Sequence, residues 1–166
     1  MKPSNVLLDK NLNVRVTDFG LGSFFGDTKK LFTPCGSPCF AAPEVISGNP
    51  YQPEPYDMWG LGVILFNMLT GTLPFDAPSK TELYSKINAV QYMMPDKVPI
   101  FCKSLIRKLL VKEPHKRIKM EDLFKDEWIQ KAGKSQIRES IRRPELKISN
   151  LYLPQTSEFL SYHQLK

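Results

Sequence analysis

The first stretch of the chain consists of two short apolar runs with polar turn residues between them. Residues 6–8 and 14–16 are rich in Val and Leu, and residues 9–13 are rich in Asp and Asn. β-Branched and large apolar residues favour strands, whereas Asp and Asn favour turns. This pattern predicts a β-hairpin at the start of the chain.

Longer apolar stretches further along the chain predict helices. Residues 57–71 are apolar on nearly every face, which is typical of a buried helix, and Gly71 is a natural end for it. Three further segments carry apolar residues at helix-like spacing, namely residues 80–89, 101–111 and 120–131. The predicted fold is therefore mainly α with a short N-terminal β-hairpin.

Two other segments show no regular period. Gly and Pro interrupt every candidate element in residues 21–41, so we expect a loop of about 20 residues there. Loops of that length in compact domains are usually functional or mobile. Residues 132–166 carry scattered apolar residues broken by Pro144 and Pro154. We expect a loose tail there, although a segment that folds back or binds a partner is the alternative.

The predicted hairpin would bring Asn5 and Asp18 to the same end. An amide oxygen and a carboxylate are oxygen donors of the kind that Mg²⁺ takes, usually together with water and substrate phosphates. The two side chains therefore form a candidate magnesium site. The structural alternative is an ordinary turn Asp beside an Asn at the end of a hairpin.

The net charge of +6 is unevenly distributed along the chain. Residues 1–129 hold 16 Lys and Arg against 14 Asp and Glu, a net of +2, whereas residues 130–166 hold 7 against 3, a net of +4. A mildly basic tail usually reflects a solvated face, and contact with an acidic partner or a membrane surface is the alternative. We expect no nucleic-acid partner.

The cysteines and the longest apolar stretch help to predict the cellular compartment of the protein. Cys35, Cys39 and Cys102 form no paired framework, and no His lies close enough in sequence to suggest a zinc site. Reduced thiols point to the cytoplasm, with the nucleus as a second possibility. The longest apolar stretch, residues 59–69, has 11 residues, which is too short to span a bilayer.

Three short motifs occur in a characteristic order. They are Lys2-Pro3-Ser4-Asn5, Asp18-Phe19-Gly20 and Ala42-Pro43-Glu44. Together they resemble the second half of a Ser/Thr protein-kinase domain of the AMP-activated and calmodulin-dependent kinase group. Any one of them alone would be a weak signal, but their order and spacing are specific.

The resemblance implies ATP and Mg²⁺ as cofactors. Asp18 would hold the Mg²⁺ that bridges the β- and γ-phosphates, and Asn5 would hold a second Mg²⁺. Lys2 would lie near the transferred phosphoryl group and the substrate. A surface Lys with no such role is the alternative for that position.

The same resemblance assigns the long loop to an activation segment. Thr33 stands where related kinases carry an activating phosphosite, and an ordinary loop Thr is the alternative. Pro34 departs from the expected pattern, which leaves open whether the upstream kinase is proline-directed. The substrate-binding loop would contain Ser37, Cys39 and Phe40. The side chains of Cys39 and Phe40 predict a preference for an apolar residue directly after the target hydroxyl in the substrate. A peptide-array profile would test this preference.

Two acidic residues have both a structural and a family interpretation. Glu44 follows Pro43 and suits the positive end of a helix, and the resemblance adds a buried ion pair between Glu44 and Arg117. Asp57 is a plausible cap for the apolar helix. In the family an Asp at this position anchors the backbone of the catalytic loop, and both interpretations remain open.

The resemblance covers residues 1–130, read as the carboxyl lobe of a partial kinase domain, with residues 131–166 as a basic tail. The chain as given would lack the amino lobe, and Met1 would stand just after the position of the catalytic Asp. We therefore expect a protein Ser/Thr kinase by family that is nearly inactive as this chain alone. Protein substrates and an upstream activating kinase are the implied partners, and the alternative is a non-catalytic lobe that acts as a binding or decoy module.

Overall fold

The computed structural model describes residues 1–18 and 37–134. Within these residues a β-hairpin precedes a set of helices. The strands and helices are β1 (Val6–Leu8), β2 (Val14–Val16), α1 (Pro43–Ile46), α2 (Pro53–Thr70), α3 (Lys80–Ala89), α4 (Ile100–Leu109), α5 (Met120–Leu123) and α6 (Glu127–Lys134). Single 3-10 turns lie at Pro3–Asn5, Pro38–Phe40 and Pro114–Lys116. The predicted fold class, mainly helical with a small two-stranded sheet, is confirmed.

The hairpin is held by its turn as well as by its strands. β1 and β2 pair antiparallel, with Val6 opposite Val16. In the turn, the Asp9 carboxylate accepts the backbone N–H groups of Asn11 and Asn13, each at 2.9 Å. The hydrogen bonds from Asn13 hold the pKa of Asp9 below its ordinary value. Because the Asp9 side chain bonds the backbone N–H groups of the turn, the turn conformation is fixed. The fixed turn in turn sets the register of this short hairpin.

The apolar helix α2 begins earlier than the sequence pattern predicts. It starts at Pro53, four residues before Asp57, and ends at Thr70. The capping residue that follows, Gly71, has a φ of +79° in the left-handed region. A proline at the first helical position loses no hydrogen bond, because that N–H has no partner within the helix anyway. The interpretation of Asp57 as the helix cap is therefore wrong, since Asp57 lies inside α2.

The apolar core of the described residues is built around α2. The Trp59 ring stacks on the Phe75 ring with the centroids 5.5 Å apart and the planes 5° from parallel. Helix α4 packs against α2 through its apolar face, where Leu105, Ile106 and Leu109 are fully buried. Helix α2 also contacts the 3-10 turns at Pro38–Phe40 and Pro114–Lys116, so it is the central element of the helical core.

Gly62 allows α2 and α4 to approach each other closely. A Cβ atom at Gly62 would lie 2.8 Å from Leu109 Cβ and 2.9 Å from Leu110 Cδ2. We expect Gly62→Ala to lower the free energy of unfolding by about 1–3 kcal/mol, because the two helices must separate to admit the methyl group. Urea denaturation followed by circular dichroism measures this change.

Gly60 provides a matched control on the same helix. A Cβ atom at Gly60 would lie 3.4 Å from the Met1 backbone nitrogen, which is near ordinary contact distance. Gly60→Ala should therefore be neutral or slightly stabilising, given the better helix propensity of Ala. Equal loss of stability in both variants would show that close packing at Gly62 is not the cause.

The last predicted helix, residues 120–131, is two helices in the structure. α5 ends at Leu123, and α6 begins at Glu127. Asp126 lies at the break, where its Oδ1 accepts the N–H of Trp128 at 3.0 Å and its Oδ2 accepts Lys108 Nζ at 2.7 Å. The periodic pattern could not show this break, because Asp126 both caps α6 and pairs with a distant lysine.

The start of α5 also depends on a distant residue. Lys119 occupies the cap position and makes no side-chain cap hydrogen bond. Glu54 of α2 supplies the missing acceptor instead, because its Oε1 accepts the Met120 N–H at 3.2 Å.

No helix in the described residues combines the length and apolarity needed to cross a membrane.

Candidate functional site

Asn5 and Asp18 meet at the open end of the hairpin. The Asn5 Nδ2 donates to Asp18 Oδ2 at 3.4 Å. Asn5 ends the 3-10 turn before β1, and its backbone oxygen accepts the N–H of Thr17 at 2.8 Å. The hairpin therefore delivers an amide and a carboxylate to one place from positions 13 residues apart.

Asp18 has an unusual backbone conformation. Its φ is +61°, in the left-handed region that residues other than Gly rarely adopt. Asp is one of the few residues that enter this region, and strained positions of this kind cluster at functional sites. The Asp18 side chain is exposed, so its carboxylate is accessible to a ligand.

The donor set of this site fits magnesium better than zinc. No group of three or more His, Cys, Asp and Glu side chains that could hold a metal occurs in residues 1–18 and 37–134. Mg²⁺ is usually bound through one or two carboxylates together with water and substrate phosphates. One carboxylate and one amide, both open to solvent or partly so, therefore suit a magnesium ion that a phosphate ligand helps to hold.

Lys2 lies three residues before Asn5 and is half-buried. It precedes the 3-10 turn in an extended conformation, and its carbonyl accepts the Asn5 N–H at 3.0 Å. Its ammonium group takes part in no ion pair with the described residues. Lys2 is thus joined to the site through its backbone, and its charged side chain is available to a phosphate group.

The segment that begins at Ser37 is anchored on the helical core. Ser37 is exposed, and Cys39 and Phe40 in the following 3-10 turn are half-buried against the core. Burial, together with the charge of Asp76, raises the pKa of the Cys39 thiol. Thr33, like Phe19 and Gly20, lies outside the described residues, so its predicted role as a phosphosite stays a prediction.

The Cys39 environment predicts slow thiol chemistry. Only the thiolate reacts quickly with iodoacetamide, and the raised pKa lowers the thiolate fraction at pH 7.5. We expect Cys39 to be alkylated several-fold more slowly than a free cysteine, and Asp76→Asn to accelerate it by removing the nearby charge. Peptide-resolved mass spectrometry gives the rate for each cysteine.

Glu82→Gln is the control for the preceding measurement. Glu82 is an exposed carboxylate on α3 that does not contribute to the pKa of Cys39. This variant removes the same charge and should leave the alkylation rate of Cys39 unchanged. A rate that responds equally to both substitutions would mean that net charge, not the position of Asp76, controls the thiol.

Glu44 and Arg117 form a buried ion pair. Arg117 Nη1 lies 2.9 Å from Glu44 Oε1, and Arg117 Nη2 lies 3.0 Å from Glu44 Oε2. The Arg117 side chain is 0% exposed and the Glu44 side chain 7%. The two-point contact joins the start of α1 to a loop 73 residues away in sequence.

Arg117 has further partners that sequence reasoning missed. Its guanidinium donates to the carbonyls of Val111, Lys112 and Pro55. It also lies over the Trp59 ring, 5.1 Å from the centroid. Backbone acceptors leave no trace in a sequence pattern, so only the fold could reveal that all the Arg117 donors are engaged.

Asp57 stands apart from the other candidate residues. Its pKa is raised by desolvation, and the nearby amino group of Met1 partly opposes that shift. Its carboxylate makes no hydrogen bond within the described part of the chain. The structure thus brings together Asn5 with Asp18 and Glu44 with Arg117, and it leaves the role of Asp57 as an anchor a prediction.

Comparison with known proteins gives a consistent match. The family model described as "Protein kinase domain" matches residues 1–129. The "SNF1-like protein kinase ssp2" of Schizosaccharomyces pombe is 44% identical over 128 residues, which cover 77% of this chain and 22% of that protein. The "SNF1-related protein kinase catalytic subunit alpha KIN12" of Arabidopsis thaliana is 43% identical over 128 residues, which cover 77% of this chain and 26% of that protein.

A further relative extends the comparison. The "Probable serine/threonine-protein kinase MARK-A" of Dictyostelium discoideum is 43% identical over 129 residues, covering 78% of this chain and 12% of that protein. The chain therefore spans between 12% and 26% of the length of these curated relatives.

Proposed function

The chain belongs to the protein kinase domain family, and on that premise we propose that its protein transfers the γ-phosphate of ATP to Ser or Thr hydroxyls of protein substrates. The observation that carries the proposal is the meeting of Asn5 and Asp18 at 3.4 Å, with Asp18 held at a φ of +61°. A binding module has no physical need for two such oxygen donors at an exposed hairpin end.

Each candidate residue has a role in this reaction. Asp18 and Asn5 would hold Mg²⁺, which when bound neutralises charge on the phosphates. Lys2 would orient the transferred phosphoryl group and the attacking hydroxyl. Ser37 would position the substrate, and phosphorylation of Thr33 by an upstream kinase would order the activation segment.

The 166 residues supply only some of the groups that this reaction needs. They contain neither a His-Arg-Asp motif next to Lys2 nor a glycine-rich strand with a Lys to clamp ATP. Loss of a general base alone costs about 10²–10⁴ in rate. We infer that the residues described here are the carboxyl lobe of the kinase and that this chain assayed alone is nearly inert.

A second candidate is a non-catalytic lobe that binds substrates or regulators. The β-hairpin supports this second candidate, because several apolar side chains of the hairpin are exposed and could contact a partner protein. They are Leu7, Leu8, Leu12 and Val14. Exposed apolar surface of this kind also promotes aggregation when nothing covers it. A cytoplasmic or nuclear location fits either candidate.

The coding sequence upstream of Met1, read in the same frame from a full-length transcript, tests the proposal. We expect it to encode His-Arg-Asp and, further upstream, a glycine-rich strand with a Lys. The extended product should then transfer phosphate from Mg²⁺-ATP to a generic Ser/Thr substrate, and the 166-residue chain should not. An upstream stop codon in the mature transcript would overturn the catalytic role for this product and favour the binding module.

A further inference from the structure

Val90, the residue that caps the C-terminus of α3, has a strained backbone. Its φ is +51°, in the left-handed region, where a β-branched side chain is an outlier. Such a conformation is unfavourable and persists only where the surrounding structure enforces it. The contacts around Val90 must therefore supply the free energy that holds it there.

Two backbone hydrogen bonds close the end of α3 around Val90. The Val90 N–H donates to the Ile87 carbonyl at 3.0 Å, and the Gln91 N–H donates to the Lys86 carbonyl at 2.9 Å. Gly is the usual residue at a left-handed helix end, because it has no Cβ. With Val in this place, the closed turn carries strain that a Gly turn would not have.

Tyr92 anchors the chain directly after this turn. Its ring meets the Phe66 ring edge-on with the centroids 5.7 Å apart, and it meets the Phe75 ring in the same way at 5.7 Å. Phe66 is 2% exposed and Phe75 is 0% exposed, so the anchor lies on the buried core. Burial also raises the pKa of the Tyr92 hydroxyl. The position of Tyr92 between two buried rings fixes the direction in which the chain leaves α3, and with it the conformation of Val90.

Few backbone hydrogen bonds hold the segment that follows. We call residues 90–98 the strap. Among donors and acceptors in the described residues, the backbone N–H groups of residues 92–98 make a single backbone hydrogen bond, from Val98 to the Pro95 carbonyl at 3.2 Å. Met93 is 84% exposed and adds no packing of note. Segments of this kind open at a lower free energy than the helices beside them.

The anchor connects the strap to the segment that carries Cys39. Tyr92 contacts Phe75, and the next residue after Phe75 is Asp76, whose charge acts on the Cys39 thiol. Cys39 and Tyr92 also pack against the same apolar cluster, to which Phe75 belongs. Withdrawal of the Tyr92 ring would leave Phe75 without one of its neighbours, so that Asp76 and the surroundings of Cys39 would loosen.

We propose that the strap is a conformational switch that opens as a unit while the helices stay folded, and that its opening loosens the segment at Cys39. In the closed form Val90 is left-handed and Tyr92 lies between its two aromatic neighbours. In the open form Val90 relaxes to an extended backbone and Tyr92 leaves them. Relief of strain at Val90 offsets part of the packing lost at Tyr92, which brings the two forms closer in free energy. Opening requires no catalysis, whereas any effect on substrate binding rests on the proposed function.

Hydrogen exchange of the Gln91 and Val98 amides, followed by NMR on the 166-residue chain, tests the opening. Val90→Gly and Val90→Ala both delete the packed side chain, but only Gly relieves the left-handed strain. We expect both amides to exchange about fivefold more slowly in Val90→Gly than in Val90→Ala. A change at Gln91 without one at Val98 would overturn opening as a unit.

Leu12 provides a matched control for the relief of strain. It is also left-handed, with a φ of +64°, but it lies in the hairpin turn. Leu12→Gly and Leu12→Ala should therefore show the same exchange rates at Gln91 and Val98. Rates that differ between these two variants would mean that the strain at Val90 does not control the strap.

Tyr92→Ala tests the coupling to Cys39. Loss of the anchor should speed exchange of the Gln91 and Val98 amides about tenfold. Iodoacetamide should then alkylate Cys39 about threefold faster and Cys102 at the parent rate. Cys102 is 2% exposed in α4, so its alkylation reports unfolding of the helices. Tyr84→Ala removes a half-buried tyrosine from α3 and should leave the Cys39 rate unchanged.

Two outcomes of this measurement would overturn the switch. Faster amide exchange with an unchanged Cys39 rate would show that the strap opens without loosening the Cys39 segment. Equal acceleration of Cys39 and Cys102 would show that the helices unfold together with the strap. Neither measurement uses ATP or a protein substrate, so failure of the switch and failure of the kinase reaction are distinguishable.

Discussion

Replacing Arg117 by alanine should lower the free energy of unfolding by about 3–5 kcal/mol, the usual cost of leaving a buried charge without its partner. The Glu44 carboxylate, which is only 7% exposed in the parent structure, would lose both of its contacts with Arg117. The carbonyls of Val111, Lys112 and Pro55 would also lose a donor. Such a loss is a large part of the roughly 5–15 kcal/mol that stabilises a typical domain, and urea denaturation of the purified chain measures it.

Two further variants separate the buried pair from general charge effects. Lys125→Ala breaks the exposed ion pair with Asp122 and should cost less than about 1 kcal/mol, because surface pairs contribute little. The double variant Glu44→Ala with Arg117→Ala should be less destabilised than the sum of the single variants, because no charge is left alone. A similar small loss for Arg117→Ala and Lys125→Ala would contradict the structural role of the buried pair.

Replacing Asp18 by asparagine should reduce kcat by roughly three orders of magnitude in the kinase extended by its upstream coding sequence. Asparagine keeps the shape of the side chain but removes the negative charge that would hold Mg²⁺, and metal stabilisation of a phosphoryl transition state is worth several kcal/mol. Stability should change little, since Asp18 is exposed and the side-chain hydrogen bond that it makes within residues 1–18 and 37–134 is 3.4 Å long. Steady-state rates over a Mg²⁺ titration provide the measurement.

Asp96→Asn is the matched control for the loss of a carboxylate. Asp96 is fully exposed and lies 3.8 Å from Lys103, in the connection before α4. Its replacement should leave kcat within about twofold of the parent rate, as expected for an exposed charge. If the Asp18→Asn enzyme keeps the parent rate and the parent Mg²⁺ requirement, Asp18 does not hold the metal. The family assignment would not change, because it rests on the sequence match.

Much of the site could be predicted because it depends on neighbours in sequence. The hairpin follows from two β-prone runs and from a turn in which Asp9 binds the backbone of Asn11 and Asn13. Such a hairpin necessarily returns its two ends to one place. The meeting of Asn5 and Asp18 was therefore predictable from local chemistry, although the left-handed backbone of Asp18 was not.

Two features of the last predicted helix depend on partners that are distant in sequence. The break between α5 and α6 depends on Asp126, which Lys108 neutralises from α4. The start of α5 depends on Glu54, 66 residues away. Periodicity describes a single helix and carries no information about which other segment completes its ends.

By itself, the sequence determined the family, the hairpin, the all-round apolar character of α2 and its end before Gly71, because motif order, turn chemistry and hydrophobic pattern act over a few residues. Only the tertiary structure decided the start of α2 at Pro53, the close approach at Gly62 and the full set of partners around Arg117. The physical reason is that every residue type has a backbone carbonyl and many residue types can pack closely, so the sequence pattern does not identify which residues make these contacts. Their positions are fixed only when these helices and loops have packed together.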